Sequence, residues 1–128
     1  MKIILPVVFV LFFTFQSFAQ MAISNTKWKG TAEVPQTVNI TLDFRVDSFY
    51  IFGNRGLDPE TMVYSQHHDS LYFIKISGRS QCPAKTEAWY RIEWLKNGEK
   101  FVLHAISDSC AGRANGFPKI RILEKVRQ

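Results

Sequence analysis

The segment VNITLDFRVD, residues 38–47, constrains the fold of this chain more than any other feature. Its apolar residues occupy every second position, and they are Val38, Ile40, Leu42, Phe44 and Val46. Because successive side chains of a β-strand point to opposite faces, this pattern predicts a strand with one dry and one solvated face. Asp43 and Asp47 are assigned to the solvated face. No segment shows persistent helical spacing of apolar residues, so long helices are not expected.

Seven further segments are predicted to be short strands. They cover residues 26–34, 48–53, 61–66, 70–78, 88–96, 100–107 and 119–126. Asn97-Gly98 is a strong signal for a tight hairpin, and His67-His68-Asp69 is interpreted as a second hairpin turn. Short strands at this spacing, with no helix between them, predict an all-β antiparallel barrel or sandwich.

Strands that are apolar on both faces favour the barrel. In the segment 70–78, one face carries Tyr72, Ile74 and Ile76, and the opposite face carries Leu71 and Phe73. Such a strand needs cover on both sides. Either a loop or terminus packs outside the barrel wall, or an exposed apolar strip marks a surface for a partner. We predict an up-and-down barrel of eight strands, within a range of seven to nine.

The first 19 residues are predicted to be a signal peptide. Lys2 precedes an almost wholly apolar run, residues 3–15, and Ser17-Phe18-Ala19 offers small residues where a signal peptidase reads the chain. The run is short for a membrane span, which needs about 20 residues. We therefore expect one mature domain, residues 20–128, with no membrane span and a periplasmic or secreted location.

Two cysteines, Cys82 and Cys110, remain in the mature domain. In an oxidising compartment such a pair is most simply a disulfide, and closing a loop of this length contributes roughly 3 kcal/mol. Neither cysteine lies in a C-x-x-C motif, and no Cys/His array has the spacing of metal ligands. The sequence therefore predicts a structural disulfide, with no metal and no cofactor.

Charge and motif content weigh against nucleic-acid binding and catalysis. The formal net charge is +5, but the basic residues are scattered and form no compact patch with aromatic residues. Nucleic acid is not expected as a partner, whereas an acidic partner surface stays open. No G-x-S-x-G motif is present, and His67, His68 and His104 have no predicted catalytic neighbours. We predict that the protein is not an enzyme.

The aromatic side chains leave two interpretations open. Most of them must form the core, because little else can fill the interior. An eight-stranded barrel nevertheless has room for either side chains or one small ligand. If a cavity exists, its predicted lining is Leu42, Phe44, Tyr90, Ile92, Trp94, Phe101 and Leu103.

The segments TKWKG, SGRSQCPAK and SDSCAGRANG give the chain a resemblance to small exported lipocalin-like (calycin-type) β-barrel proteins of bacteria. In that family an early tryptophan plugs the barrel floor and a late arginine packs over its ring. The resemblance assigns these structural roles to Trp28 and to either Arg113 or Arg121. It also implies that a cysteine before a hairpin pairs with one after it. Asp108 is expected to bond backbone in its turn, and Arg113 either pairs with Asp108 or reaches Trp28.

Together these features predict an exported, non-enzymatic binding barrel whose partner is a small apolar molecule or an extracytoplasmic protein. The alternative is an inhibitor of a protease or lysozyme that acts through an exposed loop. The candidate loops are NRGLDPE at 54–60, the turn around His67, and the segment from Gly78 to Thr86.

Overall fold

The computed structural model describes residues 21–33, 37–53, 59–116 and 122–127. Over these residues the chain forms a closed barrel in which each strand pairs antiparallel with the next and the last pairs with the first. The strands are β1 Lys27–Glu33, β2 Thr37–Phe44, β3 Ser48–Gly53, β4 Glu60–His67, β5 Ser70–Ser77, β6 Glu87–Leu95, β7 Lys100–Asp108 and β8 Leu123–Lys125. The predicted eight-stranded up-and-down barrel is confirmed. The predicted signal segment, residues 1–19, lies outside the described residues.

Both predicted hairpin turns are present, and they lie at the same end of the barrel, here called the lower end. His68 between β4 and β5 has a φ of 54°, and a 3-10 turn, Lys96–Gly98, joins β6 to β7. Within this turn Asn97 and Gly98 have φ values of 54° and 85°. These left-handed conformations suit asparagine and glycine, and they let adjacent strands reverse within a few residues.

The upper end of the barrel is built differently. The connection from β5 to β6 runs through residues 78–86, here called the β5–β6 loop. After β7 the chain forms one helical turn, α1 Ala111–Gly116. Gly112 lies inside this helical turn, and among the described residues the glycines with positive φ are Gly78 and Gly98. The candidate loop NRGLDPE falls largely outside the described residues.

Trp28 lies at the lower end, where the chain enters the barrel. It is 1% exposed, and its ring meets Phe101 edge-on with the centroids 4.5 Å apart. Its indole N–H donates to Thr26 Oγ1 over 2.7 Å. Ile23 is fully buried beside it, and its backbone N–H donates to Gln66 Oε1 over 2.8 Å. The residues before β1 therefore help to close the lower end beneath Trp28.

Gly30 permits the barrel to close. β8 is only three residues long and pairs with β1 at Trp28 and Lys29. A Cβ atom on Gly30 would lie 3.0 Å from a methyl carbon of Leu123 and 3.1 Å from the carbonyl oxygen of Ile122. The glycine of the WKG segment thus allows β8 to approach β1 closely.

The assignment of Asp43 to solvent is wrong. Asp43 is 5% exposed, although it lies on the outward face of β2. Arg45 donates to its carboxylate over 2.9 Å, and the ammonium of Lys27 lies 3.9 Å away. These two cations supply the counter-charge that a carboxylate with so little exposure requires.

β5 turns Leu71, Phe73 and Lys75 into the barrel, and all three are buried. On the outer face Ile76 is 51% exposed, so the apolar outer face of this strand is partly open to solvent. The sequence left two alternatives for such a strand, namely cover by a loop or terminus and an exposed apolar strip. The exposure of Ile76 agrees with the second. The interior position of Lys75 was not predicted.

Candidate functional site

The seven predicted ligand-lining residues belong to one packed cluster. Six of them are buried, and Trp94 is half-buried against the same cluster. The Trp94 and Phe101 rings lie 5.6 Å apart, and Tyr90 stacks on Phe73 with the centroids 5.5 Å apart. These side chains therefore contact other core rings. A ligand among them stays a prediction.

The upper end holds a buried ion pair between Asp108 and Arg113. Arg113 donates from Nε to Oδ2 and from Nη2 to Oδ1, both over 2.8 Å. The Arg113 guanidinium carbon also lies 4.9 Å from the centroid of the Phe73 ring. Of the two predicted partners of Arg113, Asp108 is therefore the one observed. Trp28, the other predicted partner, lies at the opposite end of the barrel. Arg121 lies outside the described residues.

Asp108 is the centre of a larger network. The Tyr90 hydroxyl donates to Asp108 Oδ2 over 2.5 Å, and the backbone N–H of Cys110 donates to Oδ1 over 2.9 Å. Burial, together with the hydrogen bond to Asp108, raises the pKa of Tyr90 well above its ordinary value. Tyr90 therefore stays a neutral hydrogen-bond donor, and its hydroxyl is occupied by Asp108.

The predicted disulfide is confirmed, and it ties the β5–β6 loop to the segment before α1. Cys82 and Cys110 are bonded with an S–S distance of 2.01 Å and Cα atoms 5.5 Å apart. Both cysteines are buried. Arg113 adds a long contact of 3.5 Å to Thr86 Oγ1 at the end of the loop. The two upper-end segments are thus joined by a covalent bond and a polar contact.

Lys75 holds the same loop from inside the barrel. Its ammonium is 3.0 Å from Ser80 Oγ, 2.6 Å from the Cys82 carbonyl oxygen and 3.2 Å from Glu60 Oε1. Lys75 is 1% exposed, so a charge buried this deeply requires such partners. Glu60 Oε1 also accepts from the backbone N–H of Ser80 over 3.0 Å. A buried ion pair therefore fixes the first half of the loop.

The backbone fixes the second half of the loop. Lys85 N–H donates to the Lys75 carbonyl over 2.8 Å, and Lys75 N–H donates to the Thr86 carbonyl over 3.1 Å. Thr86 Oγ1 donates to the Pro83 carbonyl over 2.9 Å. The loop is thereby anchored at its start, its middle and its end.

The anchored loop exposes a basic and polar surface. Arg79, Gln81, Pro83 and Lys85 are exposed, while Cys82 is buried beneath them. The loop sequence GRSQCPAKT contains two basic residues and no acidic residue. The turn around His67 is also held, since the Asp69 carbonyl accepts from the Ile92 N–H over 2.6 Å, but the β5–β6 loop presents the longer fixed surface.

Side chains that could carry chemistry are dispersed. His67 and His68 contact each other with ring centroids 4.5 Å apart at the lower end. His104 contacts the Glu93 carboxylate on the outer face of β6 and β7. Among the described residues no group of three or more His, Cys, Asp or Glu side chains could hold a metal ion. No helix in the described part of the chain has the length and apolar character needed to cross a membrane.

These features define a closed antiparallel β-barrel with a disulfide-anchored loop at one end. No family model matches the chain, and comparison with curated proteins and with solved structures gives no match.

Proposed function

We propose that this protein is an extracytoplasmic, non-enzymatic binding protein that contacts a protein partner through the β5–β6 loop. The observation that carries the proposal is the anchoring of this loop by the Cys82–Cys110 disulfide and by the buried Lys75–Glu60 pair. A loop held in one conformation loses little entropy when it binds. Rigid presentation of exposed side chains is what a recognition loop requires.

The charge of the loop selects the kind of partner. Arg79 and Lys85 are exposed on a loop whose sequence has no acidic residue, so a surface rich in carboxylates is complementary to it. A more specific version of this proposal is that the protein inhibits a protease or lysozyme through the β5–β6 loop. A glycoside hydrolase cleft with its pair of catalytic carboxylates has the matching charge.

The extracytoplasmic location is supported by the disulfide, because such bonds persist in oxidising compartments. The N-terminal sequence with its apolar run and Ser17-Phe18-Ala19 supports a cleaved signal peptide. Kinship with lipocalin-like, calycin-type proteins is supported by the eight-stranded closed barrel and by the burial of Trp28.

A small apolar ligand is the rival partner, and native mass spectrometry separates the two. The protein is purified from the organism that makes it and measured before and after extraction with organic solvent. We expect a stoichiometric protein complex that survives extraction of lipids. A lipid-sized mass that is removed by the solvent, with no protein partner, would overturn the proposal in favour of ligand binding.

A charge-reversal pair tests the role of the loop in that complex. Arg79→Glu with Lys85→Glu should weaken the complex at least about 10-fold, since both charges face the partner. Lys96→Glu with Arg127→Glu makes the same change in net charge at the lower end and serves as the control. Equal weakening by both pairs would show a non-specific charge effect and would remove the loop from the proposal.

A further inference from the structure

The outer face of β4, β5 and β6 carries a contiguous apolar surface that the barrel core does not use. We call it the outer strip, and it consists of Val63, Tyr72, Ile74, Ile76 and Trp89. Val63, Ile76 and Trp89 are 44%, 51% and 45% exposed, and Tyr72 and Ile74 are half-buried. Several large apolar side chains exposed side by side mark a surface for a partner more often than scattered ones do.

The strand register makes these residues neighbours. Val63 lies directly opposite Ile74, and Tyr72 lies directly opposite Trp89. Ile74 and Ile76 follow Tyr72 along the same face of β5, two residues apart each time. Cross-strand partners on one face lie about 5 Å apart, so the strip is continuous over three strands.

Tyr72 and Trp89 form the centre of the strip. Their ring centroids are 4.5 Å apart with an interplanar angle of 41°, and Trp89 is the more exposed of the two. Tyrosine and tryptophan dominate the energetics of protein interfaces, because they offer large contact areas with few rotatable bonds. The barrel wall holds this pair in place before any partner arrives.

The strip and the β5–β6 loop are parts of one surface. The loop begins directly after β5, which carries Tyr72, and ends directly before β6, which carries Trp89. Arg91 is exposed two residues beyond Trp89 on the same face of β6. The strip is therefore flanked by the basic loop at one end and by Arg91 at the other. Glu87, opposite Ile74, is an acidic residue beside the strip and hydrogen-bonds Tyr72.

We propose that the outer strip is the apolar centre of the docking surface for an acidic protein, with the loop as its basic rim. The inference rests on the premise of the proposed function that the partner is a protein, and it adds where on the barrel that partner lies. A second copy of this chain fits poorly, because it brings the same excess of positive charge to the contact. The strip lies on the wall of the barrel and does not protrude as a membrane-inserting loop does.

Photocrosslinking tests the placement of the partner. A benzophenone amino acid replaces Ile76, which is 51% exposed on the strip beside the loop, and leaves Trp89 and Tyr72 in place. The full chain that carries it is produced in its own organism, irradiated and analysed by mass spectrometry. The protein that crosslinks is then purified and titrated against Trp89→Thr, Tyr72→Thr and Val46→Thr variants. Val46 is 75% exposed in the β2–β3 turn at the lower end and is the control. Threonine keeps the preference for a strand.

We expect an acidic protein that binds the wild type stoichiometrically and more weakly as salt rises. Trp89→Thr and Tyr72→Thr should each weaken its binding at least about 10-fold, whereas Val46→Thr should leave it unchanged. Thermal melts of the three variants separate a binding defect from unfolding. Unchanged affinity of both ring variants would overturn the inference, as would crosslinks only to lipid or only to a second copy.

The outcomes for strip and loop are separable. If Arg79→Glu with Lys85→Glu abolishes binding and Trp89→Thr does not, the partner binds through the loop and the role of the outer strip is refuted. If only Trp89→Thr and Tyr72→Thr lose binding, the partner binds the outer strip and the role of the loop is refuted.

Discussion

Arg113 and Asp108 form a two-pronged ion pair inside the upper end of the barrel, with both N–O distances at 2.8 Å. The side chain of Arg113 is 5% exposed and that of Asp108 is 0% exposed. Arg113 contacts the Phe73 ring and Asp108 accepts from the backbone N–H of Cys110, so the pair links the core to the segment that carries the disulfide. Removal of one partner from such a pair strongly destabilises the fold, because the other charge is then buried without a counter-charge.

Asp108→Asn should destabilise the fold by about 3 to 5 kcal/mol, because it leaves the buried guanidinium of Arg113 without a counter-charge. Urea unfolding gives the free energy, read as a change in midpoint at an unchanged slope. The double variant Asp108→Asn with Arg113→Met should recover part of the loss, since no charge then remains buried. A single variant within about 0.5 kcal/mol of wild type would contradict the structural role assigned to this pair.

Removing the disulfide should lower the free energy of unfolding by about 3 kcal/mol. The change is Cys82→Ser with Cys110→Ser, which frees the cross-link between the β5–β6 loop and the segment before α1. Denaturation of the wild type under reducing conditions should give the same loss, and this comparison controls for the serines. If neither treatment alters the unfolding midpoint, the bond does not stabilise the fold.

Gly78→Ala should destabilise the protein by about 2 kcal/mol or more, because two effects act together. Gly78 has a φ of 136°, and an added Cβ would lie 1.4 Å from Glu60 Oε2. The clash pushes Glu60 away from Lys75 and releases the first half of the loop. Gly53→Ala is the matched control, because nothing lies within 4 Å of a Cβ added there. Equal melting temperatures for the two variants would refute the proposed packing of Glu60 on Gly78.

Tyr90 makes the fold sensitive to alkali. Burial, and then the bond to Asp108, raises the pKa of Tyr90 in the folded state, whereas an unfolded tyrosine ionises near pH 10. The stabilisation is fully present below about pH 10 and is lost as the pH rises from there towards the folded pKa. Tyr90→Phe should reduce the steepness of this loss by about 1.4 kcal/mol per pH unit. Urea unfolding across this range measures it, and parallel curves for both proteins would contradict the prediction.

Much of the fold follows from local patterns in the sequence. The alternation around Leu42 and Phe44 fixes which face of β2 enters the core, and Asn97-Gly98 fixes a reversal of the chain. The spacing of the strands left a barrel and a sandwich open, and strands that are apolar on both faces favoured the barrel. The pairing of Cys82 with Cys110 follows from their being the two cysteines of the predicted mature domain.

The burial of individual charged side chains could not be predicted from the same patterns. Alternation assigns a face to a residue but does not say what covers it, so the predicted exposure of Asp43 is wrong although its position on the outward face is right. β5 is apolar on both faces, so its inward face was undecided and the burial of Lys75 was missed. The network around Lys75 joins residues from β4, β5 and the loop, and only the folded chain brings these together.

Amide hydrogen exchange at Ser80 and Lys85 measures whether the β5–β6 loop is rigid before a partner binds. Their N–H groups donate to Glu60 Oε1 and to the Lys75 carbonyl in the free protein. We expect both amides to exchange at least about 100-fold more slowly than in an unstructured chain. Exchange at unstructured rates in the oxidised, unbound protein would contradict it.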